Sequence, residues 1–163
     1  MVTSVAVIVG ANGGIGGALS EELSQNGDFD EVIRLNRPAL DLCDEASIAR
    51  AAAELPSGCV HLVINATGFL QDTKQQPEKS LRNLNSAFLA HSFAVNAIGP
   101  ALLMKHFFPL LPRQGRAVVA SLSARVGSIG DNQLGGWYGY RSTKAALNQL
   151  VRTAAIELAR THR

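Results

Sequence analysis

Tyr140 and Lys144 are the two residues whose types and spacing most directly suggest chemistry. Residues four apart lie one above the other on one face of a helix, so a helix here would hold an ammonium beside a phenol. The positive charge would favour phenolate, lower the pKa of the tyrosine and make its proton available near neutral pH. Tyr138 lacks this arrangement, because the residue four positions later is Ser142. The pentad alone also fits an ordinary tyrosine–lysine pair on a surface, so the rest of the chain must decide.

The composition argues against nucleic-acid-binding, membrane, secreted and metal-binding proteins. The chain has 163 residues and a net charge of +2, with dispersed lysines and arginines, which argues against a nucleic-acid partner. We see no uninterrupted apolar run of about 20 residues and no basic leader at the start, so we expect neither a membrane segment nor a signal peptide. Cys43 and Cys59 lack metal-site spacing and are expected to be reduced thiols. We therefore predict a cytoplasmic protein with one domain, residues 1–163, and no metal.

A glycine-rich turn lies between the first predicted strand, residues 4–9, and a helix that begins near Ala18. In this context, backbone N–H groups at a helix N-terminus approach a pyrophosphate. The glycine spacing fits both GxxxGxG and GxxGxxG, and a merely structural turn is the alternative. We predict a dinucleotide-binding turn formed by Gly10, Asn12, Gly13, Gly14, Ile15 and Gly16.

The second predicted strand, residues 31–35, ends at Asn36-Arg37-Pro38. In a dinucleotide-binding fold this end meets the adenosine ribose, where an acid would bind the 2′-hydroxyl and an arginine would accommodate a 2′-phosphate. No acid follows directly, so Arg37 favours NADP(H), with NAD(H) as the second candidate. A solvated loop arginine is the alternative.

Three further strands are predicted at residues 39–42, 59–64 and 116–120, the first of them only a short stub. Because strands and helices alternate, we predict an α/β fold: a Rossmann-like, doubly wound parallel sheet of order 3-2-1-4-5. Polar residues follow two of these strands, at 65–68 and 121–123. Ligands of open parallel sheets bind at this edge.

A long helical pattern containing Asn96 and Pro100 lies before the last predicted strand. Proline has no N–H, so in a continuous helix the main-chain carbonyl of Asn96 would lose its partner and could hold a water molecule. An ordinary proline kink is the alternative.

Asn65, Asn96, Ser123 and the Tyr140/Lys144 pair are then expected near one edge of the sheet. A serine hydroxyl and a tyrosine phenol can both donate to one carbonyl oxygen, which gains negative charge as hydride reaches the carbon. Tyr140 could supply the proton, while Lys144 lowers its pKa and binds the nicotinamide ribose. The hydride belongs to the cofactor.

Over essentially its whole length the sequence resembles the short-chain dehydrogenase/reductase family. The segment 10–16 resembles the family's TGxxxGIG turn, with Val9 in place of threonine. The segment 65–68 resembles NNAG but departs at its second and third residues, and Tyr140 with Lys144 matches YxxxK. The span 123–150 is similar to C-factor and sniffer-like carbonyl reductases.

The resemblance implies individual roles. Ser123 would be the catalytic serine, with Ser121 a weaker candidate, and the main-chain carbonyl of Asn96 would hold a relay water. Asp41 would lie near the adenine. The remaining cofactor contacts it implies are Leu42, Asn65, Ala66, Gly68, Tyr140 and Lys144.

The implied activity is the NADP(H)-dependent reduction of a ketone or aldehyde. The resemblance also implies a homodimer or homotetramer formed through helices at about 81–111 and 138–160. The last two strands of the family are absent from this sequence. A non-catalytic nucleotide-binding or signalling protein is therefore the main alternative, and an epimerase or dehydratase that shares YxxxK is a third.

Overall fold

The computed structural model describes residues 3–162, so Met1, Val2 and Arg163 of the predicted domain lie outside it. Strands and helices alternate along the chain, with the long helical segment after β3 divided by a π-helical turn. The elements are β1 (Val5–Val9), α1 (Gly14–Asn26), β2 (Glu31–Leu35), α2 (Glu45–Ala53), β3 (Val60–Asn65), α3 (Ser86–Phe93), the π-turn (Ala94–Ile98), α4 (Gly99–Phe107), β4 (Val118–Ser121) and α5 (Tyr138–Leu158).

The four strands form one parallel sheet of order β2-β1-β3-β4. The central strand β1 is buried along its whole length, as expected for a strand covered by helices on both faces. In register, Val9 pairs with Leu35 on one side and with Asn65 on the other, and Asn65 pairs with Ser121. The carboxyl ends of the strands therefore meet at one edge, and the predicted α/β class is confirmed.

The predicted third strand is wrong, because residues 39–42 form turns and loop rather than strand. The N–H of Leu40 donates to the carbonyl of Asn36, and Asp41 exchanges hydrogen bonds with the hydroxyl of Ser47 through both its N–H and its carbonyl. These contacts satisfy the backbone without a neighbouring strand. Leu40 and Leu42 still enter the core, but as loop side chains.

The helical segment Ser86–Leu110 is long and apolar enough to cross a membrane by length and composition alone. Core helices meet the same criterion. Here Leu103 and Phe107 of α4 belong to the hydrophobic core that contains β1 and β3, and α4 also contacts α2 and α5. We therefore interpret the segment as a core helix.

Candidate functional site

A cleft of about 620 Å³ lies over the carboxyl ends of β1 and β2. Its walls come from the glycine turn, the loop after β2 and the turn after β3. Eight of the predicted cofactor residues line it: Gly10, Asn12, Gly13, Arg37, Asp41, Leu42, Ala66 and Gly68. Gly14 and Ile15 lie exposed at the start of α1, whereas Gly16 and Asn65 are buried beneath the turns.

Two positions in the glycine-rich turn, Gly10 and Gly16, leave no room for a side chain. Gly10 has φ +87°, and a Cβ there would lie 2.9 Å from the side chain of Thr67. A Cβ at Gly16 would lie 2.3 Å from the carbonyl oxygen of Gly10. Helix α1 begins without a side-chain cap and without an acid in its first turn. Its N–H groups and the positive end of its dipole therefore suit an anion.

The loop after β2 carries three polar side chains that line the cleft beside this turn. The side-chain oxygen of Asn36 accepts from the N–H of Asn12 at 2.8 Å, which ties the turn to β2. Arg37 is exposed at the cleft and forms no ion pair with any carboxylate in residues 3–162. The carboxylate of Asp41 accepts from the N–H of Cys43 at 2.8 Å. The guanidinium of Arg37 is thus available to a ligand.

The buried side chain of Asn65 stabilises the turn after β3. Its Oδ1 accepts from both the N–H and the hydroxyl of Thr67, at 3.1 and 2.6 Å. Its exposed fraction is 2%. Asn65 therefore supports Ala66 and Gly68 at the cleft rather than lining the cleft itself.

Tyr140 and Lys144 lie on α5, and the lysine is buried with an exposed fraction of 3%. Its Nζ donates to the carbonyl of Leu122 at 2.7 Å and lies 5.7 Å from the centre of the Tyr140 ring. Gly127 allows this packing, because a Cβ there would come within 2.9 Å of Lys144. The pair is thus part of a packed site and not an ordinary surface pair.

Burial shifts the pKa values of both Tyr140 and Lys144. It raises the pKa of Tyr140 and lowers the pKa of Lys144. The expected lowering of the Tyr140 pKa by the ammonium is therefore not found, because burial raises the pKa of the phenol and also disfavours the charged form of the lysine. Both shifts favour neutral side chains, and a neutral phenol is the form that can donate a proton.

Asn96 is buried in the π-turn and bonds across the site. Its Oδ1 accepts from the N–H of Phe69 at 2.8 Å, and its Nδ2 donates to the carbonyl of Phe69 at 2.7 Å and to Thr143 Oγ1 at 3.2 Å. A Cβ at Gly68 would lie 3.8 Å from Lys144 Nζ and 3.9 Å from Asn96 Oδ1. The structure thus brings Asn96, Gly68 and Lys144 together, while the water-holding role of the Asn96 carbonyl stays a prediction.

The hydroxyl of Ser123 is bound to helix α5. It donates to Asn148 Oδ1 at 2.6 Å. Asn148 lies on α5, eight residues beyond Tyr140, which is about 12 Å along the helix axis. The Ser123 hydroxyl is thus bound to Asn148, and its expected approach to the Tyr140 phenol stays a prediction. Ser121, the weaker candidate, lines a separate apolar groove beside β4.

Sequence reasoning missed Thr143, Asn148 and Glu78. Thr143 is fully buried inside the YxxxK pentad, and its hydroxyl donates to the Tyr140 carbonyl at 2.9 Å. Its position between Tyr140 and Lys144 was a usable signal, as was that of Asn148, four residues after Lys144 on the same helix face. No local signal marks Glu78, a carboxylate in a polar loop.

Comparison with known proteins identifies the family. Residues 18–163 match a short-chain dehydrogenase family model whose description is enoyl-(acyl carrier protein) reductase. The chain belongs to the short-chain dehydrogenase/reductase family, which confirms the resemblance.

Two curated relatives show how much of a related protein this chain spans. It is 37% identical to C-signal of Myxococcus xanthus over 79 residues, which is 48% of each chain. It is 29% identical over 161 residues to 1-hydroxy-2-glutathionyl-2-methyl-3-butene dehydrogenase of Rhodococcus sp., covering 90% of this chain and 68% of that protein. The matches thus cover about half to two thirds of these relatives.

Two solved structures share the fold. The Sniffer protein of Caenorhabditis elegans superposes with a TM-score of 0.84 at 26% identity, covering 97% of this chain and 79% of that one. NADPH-bound carbonyl reductase from chicken fatty liver superposes with a TM-score of 0.80 at 27% identity, covering 98% and 75%.

Proposed function

We propose that this protein is a cytoplasmic, NADP(H)-dependent oxidoreductase that reduces a ketone or an aldehyde. The observation that carries the proposal is the burial of Lys144 between Tyr140, Leu122 and Gly68. Gly68 also lines the cleft over β1 and β2. This arrangement supports Tyr140 as a proton donor near a cleft that suits a dinucleotide.

The residues of the cleft fit NADP(H). The uncapped start of α1 would receive the pyrophosphate, and a Cβ at Gly14 would meet nothing within 4 Å, which leaves room for a ligand. Arg37 would bind the 2′-phosphate, which only NADP(H) carries. When bound, the cofactor supplies the hydride. The chicken carbonyl reductase, which shares the fold, binds NADPH.

The chain's own residues would donate the proton and polarise the carbonyl oxygen of the substrate. Neutral Tyr140 donates its phenolic proton to the oxygen, which leaves a phenolate. Lys144 passes a proton to that phenolate and would hold the nicotinamide ribose when the cofactor is bound. The carbonyl of Asn96 holds a water that returns a proton to Lys144. Ser123 polarises the substrate carbonyl once its hydroxyl has left Asn148.

Replacing Tyr140 with phenylalanine tests the proton donor. Tyr140→Phe removes one hydroxyl, so turnover should fall by about 10²- to 10⁴-fold. The Kd for NADPH should change little, measured by quenching of Trp137, the single tryptophan. NADPH consumption over a panel of ketones and aldehydes measures turnover. Tyr138→Phe is the matched control, and unchanged turnover in Tyr140→Phe would exclude Tyr140 as the acid.

Arg37→Asp tests the choice of cofactor. Losing the guanidinium and gaining a carboxylate should weaken NADPH binding about tenfold or more and improve the ratio of NADH to NADPH affinity. Titrations with both nucleotides measure this ratio. Arg34→Asp makes the same charge change at an exposed position outside the cleft. An equal ratio in Arg37→Asp and wild type would remove Arg37 from the 2′-phosphate site.

The alternative is a non-catalytic nucleotide-binding or signalling protein. It is favoured by the hydrogen bond from the Ser123 hydroxyl to Asn148, which occupies the hydroxyl expected to polarise a substrate. This alternative predicts NADPH binding with no NADPH consumption by any carbonyl compound in the panel.

A further inference from the structure

Glu78 is a buried carboxylate in the loop between β3 and α3, with an exposed fraction of 1%. A buried carboxylate is costly unless it is paired or hydrogen-bonded. Among the described residues, its Oε1 accepts no hydrogen bond, and its Oε2 accepts only one. The chemistry assigned to Tyr140 and Lys144 does not use Glu78, so its burial requires another explanation.

Both the side chain and the main chain of Glu78 contact the start of α5. Oε2 accepts from the N–H of Gly139 at 3.2 Å, and the main-chain carbonyl of Glu78 accepts from the N–H of Trp137. A Cβ at Gly139 would lie 3.0 Å from Oε1, so this oxygen also faces the first turn of the helix. The two residues that bond Glu78 lie one and three positions before Tyr140.

Helix α5 has no cap of its own. Trp137, which precedes the first helical residue, has φ +52° and forms no side-chain capping bond, and the first turn contains no acid. A bulky residue in the left-handed region is strained and needs support from its surroundings. The free N–H groups and the positive dipole of a helix start favour an acceptor with negative charge. Glu78 supplies this acceptor from 61 residues away.

We propose that Glu78 is a positioning residue that caps the helix carrying Tyr140 from a distant loop. Lys144, one turn later, is held independently by the Leu122 carbonyl and the close packing of Gly127. Glu78 therefore sets the position of the Tyr140 phenol relative to the Lys144 side chain, whose own position does not depend on Glu78. The effect on turnover rests on the proposed function, but the capping itself does not.

Hydrogen exchange of the full chain tests the capping without any assay of activity. Glu78→Ala should speed exchange at the Gly139 amide and its neighbours about five- to thirtyfold, as expected for loss of a cap. Glu78→Gln keeps an acceptor oxygen and should remain close to wild type. Lys79→Ala, at the exposed next residue, is the matched control.

Glu78→Asp is the second variant, in case the alanine variant does not fold. It keeps the charge but is one methylene shorter, so it should lose the contact with Gly139 and speed exchange at that amide. Wild-type exchange at Gly139 in Glu78→Asp would overturn the proposal, with or without a result from the alanine variant.

Steady-state kinetics of the complete protein test the positioning. Displacing the phenol should lower kcat about tenfold to a hundredfold in Glu78→Asp, with the KM for NADPH unchanged and with Glu78→Gln near wild type. Faster exchange with unchanged kcat would show a purely structural cap and overturn the positioning role. If Tyr140→Phe is fully active, the proposed function fails, whereas the exchange result still decides whether Glu78 caps α5.

Discussion

At the scale of single residues, the chemistry of the site depends on the hydrogen-bond partner of each polar side chain. Lys144 is buried, yet its hydrogen bond goes to the Leu122 carbonyl and not to the phenol. Burial raises the pKa of Tyr140 and lowers the pKa of Lys144. Tyr140 thus stays a phenol through neutral pH, which is the form that the proposed proton donation requires.

The hydroxyl of Ser123 has two candidate partners, Asn148 in the structure and a substrate carbonyl in the proposed reaction. If Ser123 polarises the carbonyl, Ser123→Ala should lower kcat about 10²-fold or more. Asn148→Ala frees the same hydroxyl without removing it, so it should keep or raise kcat. The two kcat values, measured with one substrate at saturating NADPH, check this prediction. Unchanged kcat in Ser123→Ala would leave Tyr140 as the only side-chain donor to the carbonyl oxygen.

At the scale of elements, the π-turn Ala94–Ile98 places Asn96 where three segments of the chain meet. The turn ends two residues before Pro100 and widens the helix, with the N–H of Gly99 donating to the carbonyl of Ala94. The Asn96 side chain then reaches the loop after β3 through Phe69 and helix α5 through Thr143. One amide group thus joins the wall of the cofactor cleft to the helix of Tyr140.

Asn96→Ala should be strongly destabilising for this reason. It removes three hydrogen bonds and leaves the partly buried N–H and carbonyl of Phe69 without their partner, so the free energy of unfolding should fall by about 2–4 kcal/mol. Denaturant unfolding measures the change. Ser92→Ala is the matched control, since Ser92 is equally buried but bonds only within its own helix, to Phe88. A loss no larger than that of Ser92→Ala would contradict the bridging role.

At the scale of the whole molecule, large apolar side chains remain exposed on the two helical regions expected to mediate assembly. Ile98 is 52% exposed at the end of the π-turn, and Ile156 is 45% exposed on α5. A groove of about 450 Å³ beside β4, lined by apolar residues of α4 and α5, adds to this uncovered surface. We therefore propose a homodimer or homotetramer formed through these helices.

Ile98→Glu and Ile156→Glu test the assembly. Light scattering should show an oligomer for the wild type. Each charged variant should weaken association about tenfold to a hundredfold, since one buried isoleucine contributes about 1.5–3 kcal/mol. Ile129→Glu is the control, because Ile129 is 86% exposed in a loop outside both helices. A monomeric wild type, or equal weakening by all three variants, would contradict the proposed interface.

Much of the fold was predictable because it depends on local patterns. Short β-branched runs marked β1 and β3, and the glycines before α1 marked the turn over the cleft. The stub at 39–42 was misassigned because its two leucines alternate as in a strand. They do not lie in a strand, because the hydroxyl of Ser47 forms hydrogen bonds with the N–H and the carbonyl of Asp41.

The sequence by itself determined the family, the order of the elements and the Tyr140–Lys144 spacing, because backbone geometry alone converts such spacing into a shared helix face. Only the tertiary structure decided that Ser123 bonds Asn148, that Asn96 bonds Phe69, and that Glu78 reaches Gly139. These partners are 25, 27 and 61 residues apart in the chain. No local period encodes such pairs. The packing of the helices and loops around the sheet selects them.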